Sequence, residues 1–183
     1  MVAEAGDRGL ATYFTVDGHG RFSPGAVVGL EPVDVGEAPE DLAEGAREFL
    51  GAGVSSHGQV ALLSAHMHPA HVDDARLEVL LEVTRRDVAP GAVPRLQALF
   101  AFCAVTDAEA FRDSHRGADD AIYSVQGPDD AFRGDARLLG IAGSPLVGAI
   151  YARWYWQGRP NPLGPPLWEV LLGLPVTIGE RVG

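Results

Sequence analysis

Glu169 stands in the run Leu167-Trp168-Glu169-Val170-Leu171-Leu172. Read as a strand, it shares a face with Leu167 and Leu171, while Trp168, Val170 and Leu172 point the other way. Burying a carboxylate between two apolar faces without a partner is costly. The pattern therefore predicts an edge or a cleft position, with something bound to the carboxylate. Arg95 follows Pro94 and opens the apolar stretch Leu96–Ala104. It points either to solvent or to an anionic ligand, which a guanidinium can hold in a bidentate way. Ser55-Ser56-His57-Gly58 sets small residues beside a histidine, which fits either a pocket lining or an ordinary turn. His66, His68 and His71 could gather imidazoles for a metal. Pro69 interrupts any single regular element there, no cysteine is near, and no metal site is expected. Cys103 lies in apolar sequence, where a thiol is usually inert. Tyr151, Trp154, Tyr155 and Trp156 span more than one helical face, so some of these rings must reach a second surface.

Charge and composition narrow the field. All 14 basic residues are arginine, and the formal net charge is −11. Without lysine there is no Schiff-base chemistry and no phosphate-loop or kinase lysine. The acidity argues against a nucleic-acid surface, which needs a basic stripe. A single cysteine excludes an intrachain disulfide and points to a reducing, cytoplasmic setting. No apolar run approaches the roughly 18 residues of a membrane span. The arginine-only basicity hints at a GC-rich bacterial genome.

The elements that must position these residues follow from spacing. With 183 residues, 46% of them apolar, the chain suits one domain, with residues 1–9 a candidate for disorder. A strand is predicted over 12–16 and a helix near 42–50, ended by Gly51. Gly51–Gly58 reads as small and polar, and 60–63 as a short apolar run. A helix follows with Leu77, Leu80, Leu81 and Thr84 on one face, stopped by Pro90-Gly91. Residues 96–104 read as a buried strand that Arg95 starts. Thr106–Glu109 fits a capping box for a helix through about Arg112. A strand covers 121–126. Ser144-Pro145 opens a helix whose buried face would be Val147, Ile150, Tyr151 and Trp154. Two strands close the chain, 167–172 and 175–178. Strands crowd the second half without βαβ alternation, which predicts an α+β fold with a largely antiparallel sheet.

Several of these segments, in order, resemble a known family. They are Arg95–Phe102, Asp107–Arg112, Ile122–Val125, Ala152–Gly158 and Trp168–Leu172. The series resembles bacterial domains with an ADP-ribosyltransferase-like fold, mostly of unknown activity, over residues 10–182. That family carries Tyr-His-x-Thr near its start, Ser-Arg-Leu-x-Ser-x-Phe in the middle, and Tyr-Trp-x-Gly before a Glu-x-Leu strand. The resemblance implies a split, mostly antiparallel β-sandwich with flanking helices and a cleft for NAD. It implies that Glu169 is catalytic, bonding the nicotinamide ribose and stabilising an oxocarbenium-like transition state. Arg95 would hold phosphate. Tyr13, Phe14 and Thr15 occupy the first motif, and Tyr13, Phe14 and an aromatic such as Tyr155 would stack on the nicotinamide or adenine.

The sequence also departs from the pattern. Phe14 stands at the family's histidine, and Pro94 and Ala98 stand at its two serines, so three polar contacts to NAD are lost. His57 or His19 would supply the missing contact from a loop, or NAD is no longer the ligand. The resulting expectation is an enzyme that cleaves the N-glycosidic bond of NAD or a related nucleotide. Its alternatives are a pseudoenzyme or small-molecule binding module of the same fold, or an enzyme recruited to another substrate in secondary metabolism.

Overall fold

The computed structural model describes residues 9–33, 39–51, 53–67, 72–140 and 144–183. In chain order the elements are β1 (Leu10–Asp17), β2 (Val27–Val28), α1 (Glu40–Leu50), α2 (Ser56–Met67), α3 (Val72–Val88), β3 (Ala98–Phe102), α4 (Val105–His115), β4 (Ala121–Pro128), β5 (Arg133–Asp135), α5 (Pro145–Trp156), β6 (Trp168–Gly173) and β7 (Val176–Arg181). Two 3-10 turns, Arg95–Gln97 and Ala136–Leu138, precede β3 and follow β5.

The strands form one antiparallel sheet in the order β2-β7-β4-β1-β3-β6-β5. β1 pairs with β4 along its whole length, yet it meets β3 at a single position, Phe14 opposite Phe102. That thin seam divides the sheet into a four-stranded and a three-stranded half. The halves turn toward each other. One core cluster draws Tyr13, Tyr123, Val125, Val176 and Ile178 from the first half and Ala101, Val170 and Leu172 from the second. Gly127 on β4 lies so near β6 that a Cβ there would meet Leu172 Cδ2 at 2.6 Å. Leu174 and Pro175 carry the chain from β6 in one half to β7 in the other. The opposite face is covered by α3 and α5 over Ala98, Leu138 and Leu171, and by α4 over Phe102 and Ile122. The α+β antiparallel architecture expected from the sequence is the one observed.

Local signals explain most elements. Gly51 ends α1 at φ 64°, a backbone conformation open to glycine. Ser144 caps α5 by accepting the Val147 N–H, with Pro145 in the first turn. Other expectations are corrected. One helix, α2, runs from Ser56 in the polar stretch through the apolar run to Met67, and its apolar residues favour no single face and so give no periodic signal. The capping box at Thr106 does not form, because α4 begins two residues earlier, at Val105, and Ala104 holds the cap position. The buried face of α5 is Gly148, Ala152, Tyr155 and Trp156, and Val147 and Ile150 are exposed. Gly148 and Ala152 are the buried small positions, and Ala152 joins the core cluster with Leu81, Ala98 and Leu171. Arg95 does not start a strand but lies in the 3-10 turn before it.

Two devices fix α5 and β6. Asp135 is fully buried and accepts backbone N–H bonds from Arg137, Asn161 and Leu167, so it ties the proline-rich 159–166 loop to the strand edge. Gly134 lies directly against Tyr155, and a Cβ there would collide with Cε2 of its ring. Gly134→Ala is therefore expected to lower the unfolding free energy by about 1–3 kcal/mol, the usual effect of overpacking. Urea denaturation read by tryptophan fluorescence checks this, since Trp156 packs edge-on against Tyr155.

Candidate functional site

Pairing register places Glu169 in a row across the sheet. Phe14 faces Phe102, Phe102 faces Glu169, and Glu169 faces Gly134, so all four share one side. Phe14 and Glu169 are thus two strand spacings apart, about 10 Å. β6 lies between β3 and β5, so Glu169 occupies an interior strand and not an edge, and it is only 5% exposed. Gly134, its cross-strand neighbour, leaves room for the Tyr155 ring. The Tyr155 hydroxyl then donates to Glu169 Oε1 at 2.6 Å.

Arg95 reaches the same oxygen from the turn before β3. The turn is held on several sides. Ser55 N–H donates to the Leu96 carbonyl at 2.8 Å, and the Gln97 amide donates to the carbonyls of Leu50 and Gly53. Gly58 lets α2 lie against that turn, because a Cβ there would collide with the Leu96 carbonyl. The guanidinium points inward, correcting the expectation of a solvent or ligand contact. Its Nη1 donates to Glu169 Oε1 and, at 2.9 Å, to the Tyr155 oxygen. Its Nε donates to Glu78 Oε1 and Oε2 at 3.2 and 3.1 Å, and its Nη2 to Glu78 Oε1 at 3.0 Å. It lies 4.6 Å from the Phe100 ring centroid, a cation–π distance.

His57 completes the cluster. Its Nε2 is 3.2 Å from Glu78 Oε1, and its ring stands edge-on to Phe100 at 4.6 Å. Its side chain is 34% exposed, against 8% or less for Glu78, Arg95 and Glu169, so the cluster meets solvent at His57.

The electrostatics follow from burial and charge. Burial pushes the Glu78 carboxyl up, but Arg95 and His57 outweigh it and hold the group at about 2. Burial pulls Arg95 down, and Glu169 and Glu78 more than reverse this, raising it well above its usual value. Burial raises Tyr155 well above the ordinary phenol range, which keeps its proton available to donate. Two carboxylates share one guanidinium, so the cluster carries a formal surplus of one negative charge unless His57 is protonated or a cation is bound. A buried ion network is a poor way to gain stability, since apolar replacements often do as well. Strongly shifted groups of this kind gather at functional sites.

Of the residues singled out by sequence, the structure brings Glu169, Arg95, Tyr155 and His57 together. Phe14 sits in the same row, separated from Glu169 by Phe102. Tyr13 and Thr15 are on the opposite face. The Tyr13 hydroxyl donates to the Pro128 carbonyl at 2.6 Å, and Thr15 Oγ1 to the Phe100 carbonyl at 2.8 Å. Cys103 follows β3, partly buried and without a disulfide. His68 and His71 lie outside the described residues, as does the side chain of His66. Sequence reasoning missed Glu78. Its only signal is an acid beside the Leu77 and Leu81 stripe of α3. Among the described residues no helix is long and apolar enough to cross a membrane.

No family model matches the chain. No curated protein matches it either.

The Glu78 carboxyl sets a pH dependence. Its folded value of about 2 lies below its ordinary 4.5, so it adds stability above pH 4.5 that is lost as the pH falls toward 2. The full contribution is roughly 3 kcal/mol. Urea unfolding between pH 2 and 7 is expected to show this acid loss in the wild type and a shallower one in Glu78→Gln.

Proposed function

We propose that the chain is an ADP-ribosyltransferase-like enzyme that cleaves the N-glycosidic bond of NAD or a related nucleotide. The observation that carries this reading is the meeting of Arg95 and Glu169, 74 positions apart, in one buried cluster with Tyr155 and His57. Both residues lie in the segments that carry the family resemblance.

The chemistry asks for a carboxylate where positive charge develops. As the bond between the ribose C1′ and the nicotinamide nitrogen breaks, its electron pair leaves with nicotinamide and the ribose becomes an oxocarbenium ion. Glu169, hydrogen-bonded by Arg95 and Tyr155, would stabilise that cation electrostatically. Both described hydrogen bonds to Glu169 fall on Oε1. Oε2 takes neither of them, and in this reading it is the oxygen that faces the ligand. Phe14, in the family's histidine position, offers an apolar surface in the same row.

A second reading has its own support. Arg95 spends its charge on two internal carboxylates, and Phe14, Pro94 and Ala98 bring no hydrogen-bonding side chain. These features suit a pseudoenzyme or binding module that keeps the fold without turnover. Nicotinamide release from NAD separates the two. The enzyme reading expects measurable release by the wild type and a loss of roughly 100-fold or more in Glu169→Gln, the scale of removing one group that stabilises transition-state charge. Equal rates would remove Glu169 from the mechanism. Calorimetric binding of NAD or ADP-ribose without any release would favour the module.

A further inference from the structure

An arginine and a carboxylate pair most strongly through two parallel N–H···O bonds. Left alone with Arg95, Glu169 would be drawn into such a fork with both oxygens engaged. It is not. Glu78 spans Nε and Nη2 of Arg95 with three contacts of 3.0–3.2 Å. Only Nη1 remains for Glu169, and it meets one oxygen, Oε1. The arm behind Glu78 is built. His57 holds Glu78 Oε1 from α2, and Arg95 and His57 both lie on the Phe100 ring.

We propose that Glu78 is the positioning residue of the site: by occupying the Nε–Nη2 side of Arg95, it keeps Glu169 bound through one oxygen and leaves Oε2 free for a ligand. The inference rests on the reading of Glu169 given above. Glu78 touches no substrate in this scheme and acts through Arg95.

Glu78→Gln tests it, since the amide keeps the shape of the side chain and removes the charge that competes for Arg95. Arg95 is then expected to turn its fork onto Glu169. With NAD as the probe, kcat for nicotinamide release falls roughly 100-fold, the scale of a displaced reacting group, while KM changes little. A merely structural role would lower the melting temperature and leave kcat of the folded protein intact. Glu78→Asp keeps the charge with a shorter reach, so its kcat lies between the two. It also carries the test if the glutamine variant does not fold. Retained kcat in the folded variants overturns the proposal. A crystal structure of the variant reads the same point without turnover: Glu169 bonded to Arg95 through both oxygens supports it, and a single-oxygen contact overturns it. If the wild type releases no nicotinamide, the enzyme reading falls by itself and the crystal structure alone decides the role of Glu78.

Discussion

Arg95 carries the positive charge that two buried carboxylates need. Glu78 comes from a helix and Glu169 from an interior strand, and either one left unpaired at that depth would be far more costly than the pair. The guanidinium therefore has to be delivered to one point between the layers. The turn before β3 does this, tied down by Ser55, Gln97 and the close pass of α2 at Gly58. Tyr155 must arrive from the other side, and the bare surface of Gly134 is what admits it. Much of the local architecture around the sheet centre thus follows from neutralising one small group of charges.

The same constraint shapes the chemistry available. One guanidinium is divided between two acids, with His57 against the second side of Glu78. The division also decides which oxygen of Glu169 is committed and which is not. His57 links this interior to solvent, as the most exposed member of the group. The split of the sheet at the β1–β3 seam brings Phe14 and Glu169 onto one side of one row, while Tyr13 and Thr15 turn into the core between the halves.

Several residues show where sequence reasoning reached and where it stopped. The apolar neighbours of Glu169 on both faces predict an edge or a cleft with a bound partner; the structure places it on an interior strand, where the partner is Arg95. On α5, side-chain size suggests Val147 and Ile150 for the core, whereas the buried positions are Gly148, Ala152, Tyr155 and Trp156. α2 was missed for want of periodicity. Glu78 looked like any acid on the flank of an amphipathic helix, since only a cation from elsewhere in the chain makes its burial affordable.

The sequence by itself determined the α+β class, most strand positions, the absence of lysine chemistry and the anomaly of a carboxylate among apolar residues. Those properties are local, set by side-chain alternation, turn residues and composition over a few positions. Only the tertiary structure decided that the partner of Glu169 is Arg95, that Glu78 shares it, and that Tyr155 rather than Tyr13 reaches the carboxylate. Each of these contacts joins segments 14 to 74 residues apart, and no local pattern records which distant charge will fill a buried vacancy.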